Sequence, residues 1–508
     1  MPNSPKDNLL IDEGFDDASP AADALVESMR NLGYTTEAAI ADLVDNSIYA
    51  KAKRINVHFE WEGAKSWAAV IDDGCGMGPK KLVQSMRPGS QNPLEIRNKD
   101  DLGRFGLGLK TASFSQARKL AVMSRSSEDK PWEVRCWDLD HVQKTGLWQL
   151  ARKLPDDFKP KQLPWLPDGK GTVVLWIGLD RITGKAKPDD ENSRGHFFAM
   201  VDRIRQHLEM VFHRLVGGRL NISVNGNELE GWDPFMTYHR KTEPQPEETL
   251  EKGKIKIKPY VLPHRNELTE DEFQTGAGPR RWNDHQGFYV YRNRRLLVSG
   301  SWLGLRLAKE EHHKLARIRI DLPNDLDQEW QIDLKKSLAI PPGRIEKQLK
   351  RVAQATRKKA MEVYRHRGKQ VSRKASQDNG ILWKISQLRT GAYSFKINRE
   401  HLMISGLKKA HPAMKKGIDE VLRAVEAAIP IEAMVVQASE QPELRTDPIA
   451  QITVSQRKKM VESMFNSLVE VGETPQAAFD TVCRMEPFNL MTAELALLAE
   501  GHGLRTNF

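Results

Sequence analysis

VIDDGCGM, residues 70–77, closes an apolar run on two carboxylates and two glycines. The run, WAAVID at 67–72, is rich in strand formers and stops at turn residues, which predicts a buried strand. Asp72 at its end can accept a hydrogen bond from an exocyclic amine. Gly74 and Gly76 let a flat ring approach the backbone, and Met77 offers a polarisable apolar wall. These properties suit adenine, although a strand ending in a tight turn explains the same residues without a ligand.

Upstream, apolar residues recur at helical spacing from Leu25 to about Ala50 and break at Gly33, which predicts two helices. The second carries AIADLVDNS, residues 39–47. Asp42 and Asn46 stand four apart and share a face. A carboxylate beside a carboxamide can orient a water for attack on a phosphate and give an oxygen to Mg²⁺, as can be said of any such pair on a solvated helix. Downstream, Gly103, Arg104, Phe105, Gly106, Leu107, Gly108, Leu109 and Lys110 lead into a helical stretch. Glycines ahead of a helix present successive N–H groups and the positive end of its dipole, and Lys110 adds a full charge, so phosphates suit this segment. It is not a P-loop, because GxxxxGK[ST] would place the lysine at Leu109, and it lacks the dinucleotide GxGxxG spacing.

In order, AIADLVDNS, VIDDGCGM, GRFGLGLKTASFS (103–115) and GKGTVVLWIGL (169–179) resemble the four nucleotide-binding boxes of the GHKL superfamily, which includes gyrase B subunits, ninety-kilodalton heat-shock chaperones, histidine kinases, MutL-type repair proteins and MORC ATPases. The resemblance covers about residues 21–180. It implies a Bergerat-type α/β sandwich that binds ATP and Mg²⁺, with Asp42 as general base, Asn46 as the metal ligand, Asp72 reading the adenine amine, Thr172 supporting Asp72, and residues 103–110 as the phosphate-wrapping lid. The family's usual base is Glu, one methylene longer than Asp42, so slow hydrolysis is expected. Tyr49 replaces a frequent Asp. Glu37 is a poor substitute base, since five helical residues rotate it about 140° from Asp42. The second unit, with HQGFYVYRNRRLLVSGSWLGL and WQIDLKKSLAIPP, resembles the transducer domain of gyrase, MutL and MORC proteins, in which a lysine reaches the γ-phosphate. Lys336 is the favoured counterpart, with Lys335 beside it. The lid and box spacing look most like MORC-type ATPases, including prokaryotic forms. A histidine kinase would need a phosphoacceptor helix ahead of this domain, which the 20 or so preceding residues do not supply.

The remainder of the chain sets this domain in context. A length of 508 residues predicts two to four domains. With 39% hydrophobic and 29% charged residues, and no apolar run near the roughly 18 residues of a membrane span, a soluble cytoplasmic protein with no membrane partner is expected. Cys75, Cys136 and Cys483 form neither a disulfide framework nor a zinc spacing. The fold expected is α+β: a mobile arm at 1–20, the GHKL domain at 21–217, a transducer-like domain at 218–342, a basic helical connector at 343–376 and a mainly helical region at 377–508. Strands are expected at 54–61, 67–72, 119–125, 132–138, 171–177, 254–261, 287–298, 316–321 and 394–404, with a hairpin at 219–234 and a long helix at 193–216. The net charge of +10 is concentrated between Glu346 and Lys374, where eleven Lys/Arg face two Glu. Such a helix attracts phosphates in a salt-dependent way. The His312–His313 pair reads as surface. The resemblance implies ATP-driven dimerisation and so an ATP-gated homodimeric clamp, for which the basic helix offers DNA as cargo, and partner proteins of a prokaryotic defence system are expected from the same family analogy alone. A chaperone-like ATPase acting on proteins and a non-hydrolysing ATP-sensing scaffold are the rivals.

Overall fold

The structure, a computed structural model, describes residues 20–89, 108–333, 336, 338–375, 380–387, 393–430, 449 and 452–506, apart from positions 157, 160, 161, 219, 328 and 471. The expected arm up to residue 19, the lid residues Gly103, Arg104, Phe105, Gly106 and Leu107, and Lys335 lie outside the described residues. The chain divides into two compact units, Met1–Met361 and Glu362–Phe508.

The first unit begins with helices α1 (Ala22–Arg30) and α2 (Thr36–Tyr49). The Thr35 hydroxyl caps α2 by accepting from the Ala38 N–H at 3.3 Å. Strands β1 (Arg54–Glu60) and β2 (Trp67–Asp72) pair antiparallel, followed by α3 (Pro79–Met86), α4 (Gly108–Phe114), β3 (Lys119–Arg125), β4 (Glu133–Asp138), α5 (Leu139–Thr145), β5 (Gly171–Ile177), α6 (Asp180–Thr183) and α7 (Glu191–Val211). The sheet runs β4-β3-β5-β2-β1 and continues into the hairpin β6 (Asn221–Val224) and β7 (Asn227–Glu228). Both faces of its centre are covered. Val70, Val122, Val174 and Trp176 pack with Ile40, Leu43 and Val44 of α2, while Ala69, Ile71, Met123 and Leu175 pack beneath Phe158 and Leu163. That double burial is why β2 and β5 read as unbroken apolar runs rather than as alternating strands.

The β6–β7 hairpin turns through Asn225 and Gly226, both at positive φ, as a primed turn requires. Because β6 lies parallel to β1, the first sheet extends past the boundary expected at residue 217. The second sheet is built from β8 (Glu243–Pro244), β9 (Glu248–Leu250), β10 (Ile255–Val261), β11 (Gly287–Arg292), β12 (Arg295–Ser301) and β13 (Ala316–Leu322), in the order β12-β11-β13-β10, with β8 and β9 both on the outer edge of β10. Helix α8 (Glu270–Ala277) precedes β11 and carries a complete capping box between Thr269 and Glu272. Residues 287–298, expected as one strand, fold as a hairpin that turns at Asn293 (φ 48°) and Arg294 (φ 68°). Asn293 is at home in the left-handed region but arginine is unusual there, so only half of the turn is marked by residue type.

Helix α9 (Gly343–Ala375) follows. Ile345, Leu349, Val352, Ala353 and Ala360 form its buried stripe. In the second unit β14 (Trp383–Gln387) pairs with β15 (Tyr393–Ile397), then α10 (Leu402–Ala410) and α11 (Lys415–Ala427) lead to helices at Val454–Glu470, Pro475–Arg484 and Thr492–His502. Phe465, Phe479, Val482, Phe488 and Leu495 form the core of those three helices. The single strand expected at 394–404 is a short strand followed by a helix, because Asn398 and His401 fold back: Asn398 donates to the Ile381 carbonyl at 3.0 Å and lies fully buried.

Candidate nucleotide site

Three of the four boxes converge on α2. Its Asp42 is buried and Asn46, one turn on, is exposed. The Ser47 hydroxyl donates to Asp72 Oδ2 at 2.8 Å, tying the helix to the end of β2. Gly108 at the start of α4 lies close enough that a Cβ there would stand 3.8 Å from Asp42 Oδ2. Exposed Asn46 and the buried acids Asp42 and Asp72 are therefore gathered around α2.

Asp72 accepts from the Gly74 N–H at 2.9 Å as well as from Ser47. Burial outweighs these donors and pushes its carboxyl up to about 6. Asp72 faces Thr172 across the β2–β5 ladder. The Thr172 hydroxyl, however, pairs with Ser124 Oγ at 2.9 Å, so its support of Asp72 comes through the backbone. Ser124 in turn accepts from the Met77 N–H at 2.8 Å and fixes the wall residue. Gly76 has φ 63°, and a Cβ there would lie 1.9 Å from the Arg125 carbonyl oxygen. One at Gly74 would lie 2.7 Å from both Ala50 Cβ and Asp72 Oδ1. The glycines thus answer to the protein's own backbone, a different cause from the ligand approach expected of them. Gly76→Ala is expected to destabilise the first unit by about 2 kcal/mol or more, read as a lower urea midpoint for that transition.

The phosphate side is only partly described. Leu109 packs against the core, and Lys110 is buried, donating to the Ser85 carbonyl at 2.9 Å, with burial lowering its ammonium to about 8. Its charge is turned toward α3 rather than held out in solvent.

The base end of the site holds a group that the sequence did not reveal as a unit. Lys336 Nζ donates to Asp42 Oδ1 at 2.9 Å and to Asp45 Oδ2 at 2.6 Å. Arg295 Nε donates to both oxygens of Asp45, at 3.2 and 3.0 Å, and its Nη2 lies 3.9 Å from Asp42. Tyr34 donates to Asp42 Oδ2 at 3.0 Å. Burial, with the Asp42 charge beside it, holds the Tyr34 hydroxyl well above its ordinary value, so it stays a donor. Burial alone would raise Asp45, but Arg295 and Lys336 outweigh it and hold the carboxyl below its usual range. Lys336 adopts φ 54°, a left-handed conformation costly for a side-chain-bearing residue and fixed by the turn in which its N–H meets the Asp333 carbonyl at 3.1 Å. Tyr34, Asp45, Ser47, Ser124 and Arg295 are thus the residues that sequence reasoning missed. Asp45 carried a signal, being an acid inside an otherwise apolar helical stripe. Tyr49, by contrast, is exposed and outside this network. Glu37 pairs with Arg203 at 3.4 Å on the far side of α2. At Glu310, His312 and His313 the imidazole Nδ1 of His313 meets the Arg357 guanidinium at 2.9 Å, which leaves that nitrogen facing a cation rather than a metal.

The sandwich whose second helix and strand ends carry these acids is the part of the chain that matches a known family: residues 34–168, about a quarter of the sequence, match the family described as Histidine kinase-, DNA gyrase B-, and HSP90-like ATPase. Among its relatives are two described as DNA mismatch repair protein MutL. The protein from Anaplasma phagocytophilum (strain HZ) is 33% identical over 98 residues, 19% of this chain and 15% of that protein. The one from Paramagnetospirillum magneticum (strain ATCC 700264 / AMB-1) is 27% identical over 239 residues, 40% of this chain and 37% of that protein. The chain therefore matches well under half the length of either. No described helix is long and apolar enough to cross a membrane.

Proposed function

We propose that the chain binds Mg²⁺-ATP at this site, hydrolyses it slowly to ADP and phosphate, and uses the cycle to close a homodimeric clamp on DNA. Asp72 accepts from the adenine amine, with Thr172 behind it and Gly74, Gly76 and Met77 as the wall. Asn46 offers its exposed carboxamide oxygen to Mg²⁺, a hard cation that prefers such donors and neutralises phosphate oxygens when bound. Asp42 orients the attacking water, and Lys336 senses the terminal phosphate.

The observation that carries this reading is the reach of Lys336. It stands 294 residues from Asp42 in sequence, follows the transducer-type sheet, and bonds the carboxylate at the base position. A phosphate that draws this ammonium away from Asp42 displaces the segment behind it, so nucleotide state and second-domain position are linked. For DNA the support is α9, where Lys347, Lys350 and Lys358 are exposed and have no carboxylate partner among the described residues. The similarity to proteins named for DNA mismatch repair points the same way. A MORC-like role in prokaryotic defence rests on the lid and box resemblance.

Turnover by the full chain is expected to rise on adding duplex DNA. The stimulation should fall with salt on a log–log slope of about −3 or steeper, one counterion for each lysine at least. Asp42→Ala should abolish the turnover while leaving ATP binding. DNA without effect on a measurable rate would remove the clamp reading. One observation favours a second reading, the non-hydrolysing scaffold: both oxygens of the short Asp42 side chain are already engaged, by Lys336 and by Tyr34. ATP binding with no turnover under any condition selects it.

A further inference from the structure

A cavity of about 860 Å³ opens on the opposite side of the Asp42 cluster, between α7 and β12. Neither Asn46, Asp72 nor Met77 borders it, while Arg295 and Lys336 form part of its inner wall. Its lining charges do not cancel. Arg295 and Lys336 are matched by Asp42 and Asp45, and Arg203 by Glu37 at 3.4 Å. Arg280 and Lys309 remain without a carboxylate partner in the lining, although exposed Asp284 outside it partly offsets the Lys309 charge. Arg280 donates to the Ser299 carbonyl at 2.9 Å and to its hydroxyl, and Lys309 donates to the Asp284 carbonyl at 2.6 Å, all uncharged acceptors. The two cations stand near enough that Arg280 depresses the Lys309 ammonium, second only to burial. The same lining holds an apolar wall of Met210, Val211 and Ala339 and also His207, which has no hydrogen-bond partner among the described residues. Burial, with Arg295 next, lowers its imidazole to about 4, so it is neutral and able to donate one hydrogen bond.

Arg280 and Lys309 are both exposed at the cavity's rim, where water screens their repulsion and where an anion seated over the apolar wall would meet two cations at once. We propose that this cavity binds a small organic anion, a carboxylate, sulfonate or phosphate ester with an apolar body. Arg280 and Lys309 hold its charged group, His207 donates to it, and the apolar wall takes its body. The volume lies within the ordinary range for small-molecule sites. This cavity shares Arg295 and Lys336 with the base end of the nucleotide site but none of the residues assigned to adenine or Mg²⁺.

Anilinonaphthalene sulfonate, an anion with an aromatic body, is a suitable probe for the full chain. Titration is expected to give saturable fluorescence with one site per chain, at least tenfold tighter than neutral N-phenylnaphthylamine. Arg280→Gln with Lys309→Gln should weaken it at least tenfold, and Gln206→Trp, which fills the cavity from an exposed rim position, should block it. Thermal unfolding of both variants checks that they are folded. Asp72→Asn, in the nucleotide site and outside the cavity lining, should leave the affinity within twofold. Equal affinity for the two dyes, unchanged binding in both cavity variants, or loss of binding in Asp72→Asn would each overturn the proposal.

Discussion

Lys336→Ala should remove both turnover and a large part of the first unit's stability, because one ammonium serves two buried carboxylates. Asp42 and Asp45 have side chains 4% and 2% exposed, and Lys336 has 10%. Without the ammonium, Arg295 alone must balance two negative charges, and it lies 3.9 Å from Asp42. Removing one partner of a buried pair costs about 3–5 kcal/mol, and partial access of water to the Lys336 position brings the expected loss to about 2–4 kcal/mol. The loss should depend on pH with a definite sign. Asp45 is held below its ordinary value in the folded protein, so the cluster's contribution is present above the unfolded carboxylate range near 4 and is lost as pH falls through the folded value. The deficit of the variant is therefore at full size from neutrality down to about pH 4 and shrinks as pH falls below it. Denaturant midpoints of the first unit across that range measure it. Adding Asp42→Asn should recover stability by removing one stranded charge, without recovering turnover. Lys336→Gly distinguishes charge from backbone: it relieves the strain at φ 54° yet deletes the same ammonium, so it should lose activity as fully while unfolding at higher denaturant than the alanine variant. Stability unchanged in Lys336→Ala would mean that the ammonium does not sit between these carboxylates in solution.

The parts of this site that are legible in the sequence are those whose chemistry is local. Asp42 and Asn46 fall on one helical face, and Asp72 sits where an apolar strand meets two glycines, so periodicity and turn chemistry alone bring them to attention. The ends of β2 and β5 are legible for a related reason: burial on both faces writes a continuous apolar run, and turn residues close it. Arg295 and Tyr34 are not legible. Each is an ordinary residue in its own segment, and its partnership exists only once the two sheets are packed against α2. Asp45 is half visible, since a carboxylate in an apolar helical stripe must find a cation, though nothing local says which. The boundary at 217 falls short of the first sheet's true extent because a parallel β1–β6 pairing leaves no trace in the hairpin that it captures. The reversal inside 287–298 is half hidden because Asn293-Arg294 contains no glycine.

Asp72→Asn is expected to weaken ATP binding by about 100-fold, equivalent to about 3 kcal/mol, while the protein stays folded. The geometry explains both halves. The carboxamide of the variant can keep its oxygen toward the Gly74 N–H and turn its NH₂ group toward Ser47, whose hydroxyl accepts as readily as it donates, so neither protein contact is forfeited. What changes is the outward face, where an acceptor is replaced by an N–H that confronts the adenine amine donor to donor. The wild-type carboxyl titrates near 6, raised from its ordinary 3.8 by burial, and this fixes the sign of two pH effects. In the free protein the protonated form is favoured, so its stabilising contribution is fully present below the unfolded value and is lost as pH rises through 6. Nucleotide binding runs the other way, because an amine donor favours the ionised acceptor. ATP affinity should fall about tenfold per unit as pH drops below 6, and the variant should show no such fall between about pH 7 and 5. Calorimetric titration with ATP across that pH range reads both curves. Parallel curves for wild type and variant would place the adenine away from Asp72 and leave its raised carboxyl a consequence of folding alone.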